Sequence, residues 1–178
     1  AIDGNYCRCS GYLKTVDGLA AAGAAISIYR QNRPHLIGSA AVITERVDVR
    51  ADKDGKWKFE MSAPKAGGPY EMTLAGKNTI TIKNILVGEV WAASGQSNMQ
   101  WSVQGSANPQ EETAAANYPK IRLFSVQREV ADKPKSDCTG SWVECSPQTV
   151  PDFSAVAYFF GRELHKELDV PVGLIHTS

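Results

Sequence analysis

One stretch, Val87 to Trp101 (VGEVWAASGQSNMQW), limits what this chain can become. Val87, Val90, Trp91, Ala92 and Ala93 leave few polar positions between them, the pattern of a strand buried on both faces in a parallel sheet. Ser94 and Gly95 follow at once and let the backbone bend sharply. The hydroxyl of Ser97 then comes to the carboxyl end of the strand, where open α/β sheets place their chemistry. A serine in a Gly-containing turn usually does no more than satisfy backbone amides. GQSNM also lacks the second glycine of the G-x-S-x-G elbow, which argues against an ordinary α/β-hydrolase.

Ahead of this stretch, from about Tyr12 to Lys83, short apolar alternations separated by turn residues give an all-β pattern, read as a β-sandwich over residues 1–84. Its clearest unit is a hairpin: Val47, Val49 and Ala51 alternate with charges, Asp52 to Gly55 (DKDG) turns, and Trp57, Phe59 and Met61 alternate again. Tyr70, Met72 and Leu74 form a further inward row, AGKN turns, and Ile80 and Ile82 continue it. Leu19 to Ala25 is read as a turn feeding a strand at Ile26 to Tyr29.

After Trp101 the pattern gives a polar loop, a short helix around Glu111 to Ala116, and a second strand at Ile121 to Val126. A long excursion follows, carrying Trp142 and Cys145, of a length that often walls a site. Asp152 or Ser154 then caps a helix whose apolar residues Phe153, Val156, Ala157, Phe160, Leu164 and Leu168 recur at three- and four-residue spacing. It ends near Asp169, before a third strand at Val170 to Ile175. Strand, loop, strand, helix, strand opens a doubly wound parallel sheet, assigned to residues 85–178.

Charge narrows the partners. Lys+Arg and Asp+Glu are both 19 in 178 residues, with no basic block, which excludes a nucleic-acid or acidic-membrane surface and suits a neutral substrate. No apolar run reaches membrane-span length, and Ala1 opens no signal-like segment, so any export signal is expected to be already removed. The pairs Cys7/Cys9 and Cys138/Cys145 do not have zinc-site spacing. Cys138 and Cys145 fit either a loop disulfide or two separate thiols. The carboxylates Glu89, Glu111, Glu112 and Asp152 show no spacing that demands a paired acid and base.

Beyond GQSNM, the runs GKW (Gly55 to Trp57), AGGPY (Ala66 to Tyr70), YPKIRLF (Tyr118 to Phe124), GSWVECSP (Gly140 to Pro147) and FSAVAYFFGRELHKEL (Phe153 to Leu168) stand in one order. Together they resemble the sialate O-acetylesterase-like branch of the SGNH (GDSL-like) hydrolases over about residues 50 to 178. The resemblance implies a flavodoxin-like catalytic domain, of which residues 85–178 are the first half, with strand order beginning 2-1-3. It also implies a serine esterase that removes O-acetyl groups from carbohydrate, with sialic acid or xylan-type substrates and no metal or organic cofactor. Ser97 would be the nucleophile and its own N–H one oxyanion donor.

The family's glycine in a WGG-type block, its asparagine, and its aspartate and histidine near the C-terminus have no counterpart in these residues. A second polypeptide is expected to supply them, a truncated product being the other explanation. Losing triad partners costs about four to six orders of magnitude in turnover, so these 178 residues alone are expected to be nearly inert. Analogy places the protein in an exported setting: secreted, periplasmic or lysosomal.

Around Ser97, the residues Gln96, Asn98, Met99 and Trp101 are candidates for the substrate pocket; Gln96 and Asn98 serve equally as turn support, and Met99 and Trp101 as core. His176, at the end of the third strand, is read as lining the pocket rather than as base. His165 is read as a solvated surface residue, and His35 has no evident role. The rival reading is a carbohydrate-binding or docking module joined to an inert hydrolase remnant, whose signature would be an exposed aromatic row on the sandwich.

Overall fold

The computed structural model describes residues 5–7, 25–32, 42–59, 65–133, 135 and 137–178. Expectations for Leu19 to Ala24, His35, Cys9 and Met61 lie outside these residues. The chain divides into two compact units, Ala1–Leu86 and Val87–Ser178.

In the first unit, β1 (Asn5–Cys7), β2 (Ala25–Asn32), β3 (Val42–Arg50), β4 (Gly67–Ala75) and the opening of β5 (Thr79–Ser94) are the strands. β2 lies between β3 and β4 and is antiparallel to both. The row expected from alternation is present: Met72, Leu74 and Ile85 are buried, with Tyr70, Ile80 and Ile82 packed against them. The hairpin needs correction. Its first arm is β3 and its turn forms, with Asp52 Oδ1 accepting from the N–H groups of Asp54 and Lys56 at 2.9 Å and Gly55 at φ 74°. Trp57 and Phe59 join no strand; they stack at 6.0 Å and cover the Met72 cluster. Two aromatics every second residue gain more from that apolar surface than from a ladder.

The second unit is a mixed α/β layer. The end of β5 leads into α1 (Ser97–Gln100), a 3₁₀ turn at Val103–Gly105, α2 (Pro109–Ala115), β6 (Tyr118–Ser125), β7 (Trp142–Cys145), α3 (Ala155–Leu168) and β8 (Val172–Thr177). β5, β8 and β6 are parallel, and β7 is antiparallel to β6. Here the expected order 2-1-3 is overturned. The third strand in sequence, β8, is the central one, with Val172 opposite both Glu89 and Ile121.

Burial explains this order. Val172, Gly173 and Leu174 are all buried, as a strand flanked on both sides requires. β6 carries Lys120 and Arg122 and takes a polar partner on its far side, where buried Arg122 pairs with Glu144 of β7 at 3.0 Å. The strand at Trp142–Cys145 replaces part of the expected loop; at four residues it was too short to show a period.

Val103, Ile121, Leu123, Val150, Phe153, Tyr158, Val172 and Leu174 form the core of this unit. Ser154 caps α3 through the Ala157 N–H, and Asp169 ends it in a left-handed conformation at φ 48°. Arg162 of α3 pairs with Glu112 of α2 and lies over the Tyr158 and Phe159 rings. No described helix is long and apolar enough to cross a membrane.

Candidate active site at the end of β5

β5 delivers Ser97 to the carboxyl end of the parallel strands. Ala93 lies opposite His176 and Ser94 opposite Thr177, and the Ser94 hydroxyl donates to the Thr177 carbonyl at 3.0 Å. The chain then leaves the sheet and turns through α1. Its closing bonds are Met99 N–H to the Gln96 carbonyl (2.9 Å), Gln100 N–H to the same carbonyl (3.4 Å) and Trp101 N–H to the Asn98 carbonyl (3.3 Å). Ser97 is exposed, and its hydroxyl makes no hydrogen bond among the described residues. A primary alcohol so placed can meet a substrate carbonyl without first breaking an internal bond.

The neighbouring candidates separate by exposure. Gln96 and Asn98 are exposed, and the turn is closed by their backbone, with no side-chain cap from Gln96. Met99 points inward and packs against the core. Trp101 is 59% exposed, its indole N–H donating to the Gly105 carbonyl at 2.7 Å, so one ring edge is fixed beside the Ser97 turn.

Behind the turn lies the start of α3. Buried Ser154 donates to the Met99 carbonyl at 2.5 Å, the Ala155 N–H donates to the Trp101 carbonyl at 2.7 Å, and the Val103 N–H donates to the Phe153 carbonyl at 3.0 Å. Gln104 adds a backbone bond to the Pro151 carbonyl (3.0 Å) and a side-chain bond to Asp152 (2.6 Å). Sequence reasoning found Ser154 only as a helix cap. Its bond to Met99 spans 55 positions and leaves no local signal.

His176 sits beside Ala93 on β8, packs edge-on against Phe153 at 5.7 Å, and shares a 2.8 Å hydrogen bond with Ser178 Oγ. Burial, and after it the Arg128 charge, holds its imidazole below the ordinary range. Folded His176 therefore takes up a proton at lower pH than the unfolded chain does. Stability present above the unfolded pKa of about 6.5 is lost as pH falls through the folded value. Thermal melting is expected to drop between pH 7 and pH 5, and His176→Asn to flatten that drop; an identical slope in the variant would rule His176 out as its source.

The remaining sequence candidates go elsewhere. His165 is half-buried rather than solvated, with Nδ1 2.7 Å from the Val170 carbonyl and its ring edge-on to Tyr118. Trp142 packs against Phe124 at 5.2 Å. Cys138 and Cys145 are both free, one exposed and one buried, so of the two readings the separate thiols hold. Burial pushes the Cys145 thiol up to about 12. The excursion after β6 forms an open cleft of about 430 Å³ lined by Glu129, Asp132, Lys133, Lys135 and Asp137 among others. No group of three or more His, Cys, Asp or Glu able to hold a metal occurs among the described residues.

No family model matches the chain. It is 31% identical to the sialate O-acetylesterase of Rattus norvegicus over 175 residues, covering 90% of this chain and 31% of that protein. The Homo sapiens sialate O-acetylesterase is 30% identical, covering 90% of this chain and 32% of its own length. Among solved structures, a carbohydrate acetylesterase from Xanthomonas citri superposes with a TM-score of 0.76 at 32% identity, over 89% of this chain and 34% of that one. The chain thus spans about a third of the length of the curated relatives it matches. Sequence and fold together make the chain similar to sialate and carbohydrate acetylesterases over the third of their length that it spans.

Proposed function

We propose that this chain carries the nucleophile of an SGNH-type serine esterase that removes O-acetyl groups from carbohydrate, sialic acid or xylan-type sugars being the substrate class. The observation that carries this reading is the exposed Ser97 hydroxyl, unbonded among the described residues, at the carboxyl end of a parallel strand, in a chain similar to sialate and carbohydrate acetylesterases. Ser97 Oγ attacks the acetyl carbonyl carbon, and the Ser97 N–H donates to the oxyanion. The C–O bond to the sugar breaks, the sugar oxygen leaves with a proton, and water cleaves the acetyl-enzyme to acetate. Gln96, Asn98 and Trp101 border the sugar. No metal or organic cofactor has a part in the scheme.

A second polypeptide supplies the aspartate and histidine. What supports such a partner is the strand leading to Ser97, whose apolar residues are exposed on both of its faces. Trp91 and Ala92 point to opposite faces of β5, yet both are exposed, Trp91 at 44% beside Phe160 at 45%. A strand apolar on both faces calls for a layer on each. The first unit completes as a β-sandwich, and the working compartment is an exported one where glycans are trimmed. A glycan-binding module with an inert remnant would present an aromatic row; Trp57, Phe59 and Tyr70 instead pack against the Met72 cluster.

The test is intact-mass spectrometry of the native preparation after a fluorophosphonate probe. One adduct on this chain, mapping to Ser97, together with a second polypeptide is expected. An active preparation in which this chain stays unlabelled would overturn the reading.

A further inference from the structure

We propose that Ser154 is a positioning residue for the nucleophile: its buried hydroxyl, at the start of α3, holds the turn that presents Ser97. This rests on the esterase reading above.

The turn cannot hold itself. α1 has four residues, and two of its three closing bonds are long, at 3.3 and 3.4 Å. A helix that short is below the length at which propagation repays nucleation. Among the described residues the Ser97 hydroxyl has no partner, so the backbone beneath it sets its place. That backbone is fastened from outside at Met99, whose carbonyl accepts from Ser154 Oγ at 2.5 Å and whose sulfur lies 3.6 Å from the same oxygen.

The direction of the Ser154 proton is determined as well. The Ala157 N–H donates to Ser154 Oγ at 3.2 Å, so that oxygen acts as acceptor toward the helix and its single proton is free for Met99. One hydroxyl thereby joins the rigid start of a 14-residue helix to the turn two residues from the nucleophile. The flanking bonds at Trp101, Val103 and Gln104 keep the two segments in register, and the exposed Gln104 to Asp152 bond closes the outer end. Catalysis needs this because the rate of attack falls steeply with sub-ångström displacement of the nucleophile.

The test has two arms. In the active enzyme, Ser154→Ala is expected to lower kcat for acetyl-ester hydrolysis about 10- to 100-fold and to change KM by less, since Gln96, Asn98 and Trp101 are retained while the nucleophile they flank loses its brace. Ser154→Thr, which keeps the γ-oxygen, is expected to stay within about 3-fold, and the surface variant Gln104→Ala to lose about 2- to 3-fold. In the 178-residue chain alone, Ser154→Ala is expected to speed amide exchange at Met99 to Val103 at least 10-fold while Val172 to Ile175 stay unchanged.

Normal kcat, or unchanged exchange at Met99 to Val103, in a folded Ser154→Ala overturns the proposal. Should that variant not fold, Ser154→Gly decides, since glycine is tolerated at an N-cap and also lacks the hydroxyl: unchanged kcat together with unchanged exchange overturns the proposal. Ser97→Ala run in parallel separates the two readings. Activity surviving in Ser97→Ala removes the esterase assignment, whereas activity lost in Ser97→Ala but normal in Ser154→Ala removes only the positioning role.

Discussion

Ser97→Ala is expected to reduce acetate release from an O-acetylated sugar by at least about four orders of magnitude in the assembled enzyme, and to leave the melting transition within about 1 °C of the parent. The activity half follows from the proposed role of Ser97 and the stability half from the geometry. The hydroxyl is exposed and makes no hydrogen bond among the described residues, so removing it orphans no buried group and opens no cavity. Folding therefore loses almost nothing. Chemistry loses the atom that forms the acetyl-enzyme, and neighbouring groups cannot replace it: the Ser94 hydroxyl is committed to the Thr177 carbonyl, and Ser102 and Ser106 lie beyond the turn, the latter donating to the Val103 carbonyl at 2.6 Å. Because Gln96, Asn98 and Trp101 remain, the residual binding of the sugar should be near normal, so the loss falls on kcat rather than on KM. Steady-state kinetics with acetate detection, beside a thermal melt, checks both. Activity within 10-fold of the parent would place the nucleophile on another residue.

How much of this could be read from the sequence depends on the range of the forces involved. The Ser97 strand and turn were legible because they rest on local pattern, an apolar run followed by small residues, but the expected burial on both faces was not met, Trp91 and Ala92 being exposed. α3 was legible as a helix for the same reason, since a cap at Asp152 or Ser154, apolar residues at three- and four-residue spacing and a stop near Asp169 are properties of one segment. Its buried face was not: Ala155, Ala157, Tyr158 and Gly161 are buried, whereas Val156, Phe160 and Leu168 of the expected stripe are exposed. The order of the strands was not, because it depends on which strand finds neighbours on both sides. β5 and β8 are both continuous apolar runs, and only their pairing shows that β8 is central while Trp91 of β5 stays half open. β7 escaped notice because four residues, WVEC, hold no period; its place is set by the Arg122 to Glu144 pair across strands. The second arm of the expected hairpin alternates correctly at Trp57 and Phe59, yet alternation cannot tell a ladder from an extended segment laid over a core. Around the site the same division holds. Ser97, Gln96, Asn98 and Trp101 came from one motif, whereas the Ser154 brace is a contact between distant segments. The two readings of Met99 were separated only by the core behind it.

The strongest expected effect on folding is at Gly88. A Cβ built there would lie 1.9 Å from the Pro171 carbonyl oxygen and 2.7 Å from its carbon, and both are backbone atoms that cannot swing aside. This close approach is where β5 meets β8: the Glu89 N–H donates to that same Pro171 carbonyl at 3.0 Å, and the parallel register begins one step later with Glu89 opposite Val172. A methyl group at Gly88 must push the strands apart by more than an ångström, which breaks this bond and strains the ladder above it. Overpacking of this kind costs about 1–3 kcal/mol and the lost bond about 1 more, so Gly88→Ala is expected to destabilise the second unit by about 3 kcal/mol and lower its melting temperature by about 10–20 °C. Gly161→Ala is the informative control. Its Cβ would meet Leu174 at 2.6 Å, an overlap with the end of a flexible side chain, which can rotate away at smaller cost. Chemical denaturation of both variants distinguishes the cases: a midpoint for Gly88→Ala equal to the parent, or higher than that of Gly161→Ala, would mean that β5 and β8 do not meet as closely as described. The consequence would reach the site, because the ladder that starts at Glu89 ends at Ser94 and Thr177, and it is this register that brings the Ser97 turn and His176 to the same end of the sheet.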